Sequence, residues 1–204
     1  MARIDRVVTS GTFTLDGETF DVDNNVWVVG DDDRALVIDA AHEAEPIIAA
    51  IGTRELVAIV CTHGHDDHIS AAGDLWEVTR APVWLHPEDR MLWDVLYHED
   101  KPDRDLLDGT TLSVAGIDLT ALHTPGHSPG STCLVAPDLA TVFTGDTLFS
   151  GGPGATGRSF SDRPTIEASI RARLLTLPGS TEVRTGHGDS TSVDAEAARP
   201  PFGA

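Results

Sequence analysis

Seven residues, Thr62–His68 (THGHDDH), constrain this chain more than any other stretch. An apolar run, Leu56–Val60, precedes them and reads as a buried strand. Ile69–Val78 follows, with Ile69, Ala72, Leu75 and Trp76 at helical spacing. The heptapeptide therefore falls on a strand-to-helix turn, where a scaffold can aim side chains into a cleft. In an extended turn His63 and His65, two apart, can point the same way. Asp67 and His68 then fall at the helix start and point elsewhere. One loop can thus feed two adjacent metal positions. Imidazole and carboxylate suit zinc, iron or manganese better than calcium or magnesium.

Three more ligand candidates come directly after predicted strands. His127 follows Ile117–Leu122, Asp146 follows Thr141–Phe143, and His187 follows Glu182–Thr185. With the opening loop they make five His and two Asp. Seven donors exceed the three or four that one zinc takes. Two carboxylates, two divalent cations and a bridging hydroxide leave a small net charge. The spacing therefore predicts two metals, roughly 3.5–4 Å apart, bridged by Asp146 and a hydroxide. Among the other histidines, His86 and His98 read as surface or packing residues. His42, after Asp39 at a strand end, can face the cleft or pack beneath it. His123 reads as a residue fixing the His127 turn by hydrogen bonding. Asp39 and Asp66 are either acceptors that orient histidines or turn residues.

The rest of the chain supplies the scaffold. Val7–Leu15, the Asp16-Gly17 hairpin turn, Glu18–Asp21, Asn25–Val29 and Ala35–Ile38 predict an antiparallel meander. Glu43–Ile51, Glu88–Tyr97 and Thr165–Leu175 are predicted helices; Pro82–Leu85, Thr110–Val114 and Thr132–Val135 are further strands. His98–Asp105 and the glycine-rich Ser150–Asp162 read as loops, and Val193–Ala204 as a short tail. Two groups of strands, each closed by helices, suggest two sheets face to face with helices outside.

Residues 1–204 make one domain of ordinary to large size, with enough apolar sequence for a sizeable core. The net charge is −19 and Lys101 is the only lysine, which disfavours nucleic acid and anionic membranes as partners. No run is apolar enough to cross a bilayer, and the first thirteen residues lack a signal-peptide centre. A cytoplasmic location is expected, with Cys61 and Cys133 as thiols.

THGHDDH, HTPGHSPGS, FTGDTLF and TGHGD, in this order, resemble the metallo-β-lactamase superfamily over nearly the whole chain. The resemblance implies an α+β fold, a four-layer αββα sandwich with the site at one edge. It implies that His63, His65 and His127 bind one metal, that Asp67, His68 and His187 bind another, and that Asp146 bridges. Within the superfamily, GDTLF and HTPGHSPGS are similar to the glyoxalase II group of thioester hydrolases. That group has a C-terminal helical domain that holds glutathione, which is not expected here because 17 residues follow His187. The implied activity is hydrolysis of a small acyl-thioester or ester, with two divalent metals, zinc first and iron or manganese next. Asp67 and Asp146 would be catalytic as well as ligating. Arg158, in the long loop, would meet an anionic part of the substrate or pair with a surface carboxylate. Two alternatives stand beside this. One is a persulfide dioxygenase with a single iron on His63, His127 and Asp146; the other is a non-catalytic metal-binding protein. A true β-lactamase is disfavoured because that group commonly carries Cys where Asp146 stands.

Overall fold

The computed structural model describes residues 1–98 and 100–203. The predicted loop His98–Asp105 and tail Val193–Ala204 each include one residue outside these, Glu99 and Ala204.

The chain opens with a long hairpin, β1 (Arg3–Leu15) and β2 (Glu18–Gly30), paired without a break from Arg3↔Gly30 to Leu15↔Glu18. Its turn needs positive φ at both central residues, and Asp16 (54°) and Gly17 (79°) supply it. Two strands were expected across Glu18–Val29. They are one, because Asn24 and Asn25 stay in the ladder and turn their amides inward instead of breaking it. Then come β3 (Arg34–Ile38), α1 (Ala44–Ile51) and β4 (Glu55–Val60). The helix expected over Ile69–Val78 is two: α2 (Asp66–Ile69) and α3 (Ala72–Thr79). At the break, the Ala71 N–H turns to the Ala40 carbonyl, and the Tyr97 hydroxyl donates to Ile69 O and accepts from the Gly73 N–H. Outside partners replace the helical bonds there.

The chain continues through β5 (Val83–Leu85), a single 3₁₀ turn at Pro87–Asp89, α4 (Arg90–Tyr97) and β6 (Arg104–Asp105). Then β7 (Thr111–Val114), β8 (Ile117–His123), β9 (Thr132–Ala136) and β10 (Thr141–Gly145) follow. The loop expected at Ser150–Asp162 contributes β12 (Gly152–Pro153), paired with β11 (Leu148–Phe149). Next is α5 (Arg163–Ser169), continued by a π-helical stretch, Ile170–Leu174. The last elements are β13 (Glu182–Thr185), β14 (Thr191–Ser192) and α6 (Val193–Ala197), so the expected tail begins as a helix.

The strands form two six-stranded sheets, in the orders β1-β2-β3-β4-β5-β6 and β14-β13-β10-β9-β8-β7. They face each other across one core. Trp27, Leu36, Ile38 and Val60 of the first meet Leu119, Leu134 and Phe143 of the second. Helices α1, α3 and α4 cover the outer face of the first sheet through Ile47, Leu75 and Trp93. Helix α5, the π-helical stretch after it and α6 cover the second through Ile166, Ile170 and Val193. This is the αββα sandwich. Both faces of β3, of β4 and of the second half of β2 are buried, which is why Val26–Val29, Ala35–Ile38 and Leu56–Val60 read as continuous hydrophobic runs. No helix among the described residues is long and apolar enough to cross a membrane.

Candidate metal centre

The ends of β4, β8, β10 and β13 reach one edge of the sandwich, and the loops after them carry all seven predicted ligands. Close backbone approach there requires glycine at two positions. A Cβ on Gly186 would lie 2.4 Å from Asp146 Oδ1 and 2.7 Å from the His68 ring. One on Gly126, at φ +133°, would lie 2.2 Å from the Ile166 nitrogen.

The donors converge in two triads. His65 Nδ1 lies 3.0 Å from His63 Nε2 and 3.0 Å from His127 Nε2. His68 Nε2 lies 3.2 Å from His187 Nε2 and 3.5 Å from Asp67 Oδ2, and those two are 3.3 Å apart. Metal–nitrogen bonds of about 2.0–2.1 Å give a tetrahedral edge of about 3.3–3.4 Å, so each triad has the size of one face of such a site. Asp146 lies between them. Its Oδ1 is 3.2 Å from His68 Nε2, and its Oδ2 is 3.4 Å from His187 Nε2 and 3.6 Å from His127 Nε2.

Hydrogen bonds at the far ring nitrogens fix what faces inward. The Nδ1–H groups of His68, His127 and His187 donate to Asp39 Oδ2, the Ala155 carbonyl and the Asp23 carbonyl, at 3.0, 2.9 and 2.7 Å. Thr62 Oγ1 gives its own proton to Asp39, so it accepts from His63 Nδ1 at 3.1 Å. Four histidines are thereby held with their Nε2 atoms converging. His65 is the exception and presents Nδ1. Its buried Nε2 has no hydrogen-bond partner among the described residues, and Asp146 Oδ1 has only the His68 ring nitrogen at 3.2 Å. Converging ring nitrogens and buried carboxylates need positive charge among them, supplied either by protons on His68 and His187 or by metal ions. The residues therefore fit metal ions, and neutral imidazole with carboxylate is the donor chemistry of zinc, iron or manganese.

Electrostatics divide the two triads. Burial, with His127 beside it, pushes His65 down to about 3, and burial with three neighbouring imidazoles holds His63 well below its usual value. Burial opposes protonation of His187 too, yet Asp146 and Asp67 carry it up to about 10. A group raised this far holds its proton at neutral pH and loses it as pH rises through 10. Metal uptake on Asp67–His68–His187 must displace that proton. Proton release on zinc addition to the apo protein at pH 7 is therefore expected, and apparent affinity should climb between pH 6 and 9. A pH-independent affinity over that range, measured by competition titration, would contradict it.

Other predicted residues lie around this core. Asn24, which the sequence did not single out, donates to Asp67 Oδ2 at 3.1 Å and accepts from His42 Nε2 at 2.8 Å. His42 thus reaches the centre through Asn24. The signal for Asn24 was an Asn pair in a strand, where such residues are depleted. Asp66 accepts from the Thr14 N–H and ties the hairpin to the metal loop. His123 Nε2 donates to the Pro129 carbonyl at 2.8 Å, across the His127 turn. His86, Glu88 and His123 also cluster. Their two rings stack at 4.1 Å with only 10° between planes, so no one ion can lie in both ring planes.

A cleft of about 390 Å³ opens over the centre, lined by Phe13, Val22 and Ala155 with His65, Asp67, His127, Asp146 and His187. Arg158 borders a smaller pocket beside His65 and His127. Its guanidinium pairs with Glu18 at 2.7 Å and lies 4.7 Å from the centre of the Phe20 ring.

Known proteins are similar to this chain in sequence and fold. The pattern of the metallo-beta-lactamase superfamily matches residues 19–189. A hydroxyacylglutathione hydrolase, GloC of Haemophilus influenzae, is 32% identical over 194 residues, covering 87% of this chain and 92% of its own. A crystal structure of BLEG-1, a B3 metallo-beta-lactamase, is 28% identical with a TM-score of 0.81, over 95% of this chain and 99% of its own. A structure of TTHA1623 in a di-iron-bound form is 34% identical with a TM-score of 0.78, over 89% and 96%.

Proposed function

The chain belongs to the metallo-β-lactamase superfamily, and from that premise we propose that it hydrolyses thioester or ester bonds of small molecules with two metal ions, as glyoxalase II-like enzymes do. The observation that carries this reading is Asp146, whose carboxylate stands within 3.2–3.6 Å of ligands from both triads. His63, His65 and His127 would hold one ion, Asp67, His68 and His187 the other, with Asp146 shared. When bound, two divalent cations supply Lewis acidity and lower the pKa of a water toward neutrality. Zinc is the expected ion.

The chain's own residues do the rest. Asp67, braced by Asn24, orients the attacking water by accepting its hydrogen bond. Phe13, Val22 and Ala155 give the acyl group an apolar wall and keep bulk water out of the cleft. Arg158 would meet an anionic part of the substrate by exchanging Glu18 for it. The alanine variant of Arg158 is then expected to lose up to about fivefold in kcat/KM on a charged thioester, the scale of an exposed ion pair. A neutral thioester of matched shape should be unaffected. Equal losses for both, or none, would remove Arg158 from the substrate site.

The proposal extends to residues 1–204 acting as one domain, since both sheets share one core. It extends also to a cytoplasmic setting, in keeping with two buried free thiols, Cys61 and Cys133. The net charge of −19 supports a small molecule over a polynucleotide as partner. Elemental analysis followed by a panel of acyl-thioesters and esters tests the function. Two metals per chain with turnover supports it. A single iron with sulfur-dioxygenase activity supports the dioxygenase, and a fully loaded protein with no turnover supports a binding role.

A further inference from the structure

Asp89 is a fully buried carboxylate that donates nothing to any metal triad, yet touches both loops that build one of them. Its Oδ2 accepts from the Gly64 N–H at 2.9 Å and from the Ser128 hydroxyl at 2.6 Å. Its Oδ1 accepts from the Gly130 N–H at 2.5 Å. Gly64 separates His63 from His65, and Ser128 follows His127. His65 and His127 are 62 positions apart in the chain, so the spacing of their loops depends on contacts across the fold. Asp89 is itself placed independently of both. It ends the 3₁₀ turn Pro87–Asp89, where its N–H bonds the His86 carbonyl and His86 Nδ1 accepts from Glu88.

Three donors aimed at two oxygens require an acceptor-only group, which an ionised carboxylate is and an amide is not. The fit is also steric. A Cβ on Gly64 would lie 2.8 Å from the Asp89 carbonyl oxygen, and one on Gly130 would lie 2.7 Å from the Asp89 carboxyl carbon. Asp89 makes no hydrogen bond to Asp67, His68, Asp146 or His187 among the described residues. Asp39 bonds His68 instead.

We propose that Asp89 is a positioning residue for one metal alone: it locks the His63–His65 loop to the His127 loop and so sets the size of that triad, leaving the Asp67–His68–His187 triad untouched. The inference rests on the reading of these two triads as separate metal sites.

The test separates the sites by mutation and reads metal binding rather than turnover. His187→Ala leaves the His63–His65–His127 site to be measured, and His127→Ala leaves the other. Apo proteins are titrated with zinc against a chromophoric chelator and with Co²⁺ followed by visible absorption. Adding Asp89→Asn to His187→Ala should weaken zinc binding 10- to 100-fold, the usual effect of losing an outer partner of a ligand. Adding it to His127→Ala should change binding less than threefold. Ser128→Ala, which removes one of the three bonds, should give a smaller loss of the same selectivity, and it decides the matter if Asp89→Asn does not fold. Equal losses in both backgrounds, or none in either, overturn the proposal, because a purely structural role would lower thermal stability without choosing a site. If His127→Ala alone still binds two zinc ions, the assignment of the triads fails instead, and that result is distinguishable from the failure of Asp89.

Discussion

Asp146→Ala is expected to abolish turnover and to lower metal occupancy while the apo protein keeps its fold. The loss should exceed the roughly 100-fold typical of removing an outer partner, since Asp146 stands against ligands of both triads. Without it, converging imidazole nitrogens and two cations face one another with one carboxylate, Asp67, in place of two. The fold does not depend on the side chain. Asp146 lies just past β10, whose end is held by backbone instead, through the Gly186 N–H to Gly145 carbonyl bond of 2.9 Å. Burial would raise the Asp146 carboxyl, but His68 and His187 hold it well below the usual range, so the folded state contains it ionised at neutral pH. Far-ultraviolet circular dichroism, metal analysis and thioesterase kinetics on the variant make the check. Hydrolysis within a few-fold of wild type, with both metals retained, would remove Asp146 from its proposed role.

The centre was legible because its ligands are marked locally. Each comes directly after an apolar run, in a Gly- or Pro-rich turn, and residue type and spacing suffice to find it. What holds the ligands was less legible. Asp89 lies in HPED, a stretch that reads as the start of a helix, and its partners are 25 and 41 residues away. Nothing local distinguishes a buried acceptor there from a surface carboxylate. Asn24 had the same fate, as its strand was read as two short ones and its partner Asp67 is 43 residues on. The single helix expected after the metal loop is broken in two for a related reason. Helical periodicity runs through Ser70 and Ala71, but the tertiary partners Ala40 and Tyr97 take the backbone groups that would continue it. The sheet pairing followed a simpler logic, since turn residues such as Asp16-Gly17 and unbroken apolar runs fix strands without distant partners.

Asp39→Asn should show that tautomer control, and not packing alone, sets the second metal triad. Asp39 is buried just after β3 with φ +57°, a conformation Asn adopts more readily than Ala. One oxygen accepts from the Thr62 N–H at 2.7 Å; the other accepts from the Thr62 hydroxyl at 2.8 Å and from His68 Nδ1 at 3.0 Å. An amide cannot satisfy all three. If its NH₂ faces His68, the imidazole must accept at Nδ1, which puts the remaining proton on Nε2, where a metal would bind. If its NH₂ faces the Thr62 N–H instead, two donors oppose each other in the interior. Each lost charge-assisted bond costs about 1.5–3 kcal/mol of stability. Zinc affinity at Asp67–His68–His187 should fall 10- to 100-fold. Competition titration in the His127→Ala background measures the affinity, and urea unfolding of the apo protein measures the stability. A variant that is less stable yet binds zinc within threefold of its parent would mean that Asp39 acts through packing and leaves the His68 tautomer to other groups. Burial opposes protonation of His68, but Asp67, Asp146 and Asp39 hold it well above its usual value, so the apo imidazole carries a proton at Nε2 as well; with Asp39 accepting from Nδ1, the Nε2 proton is the one a metal would displace.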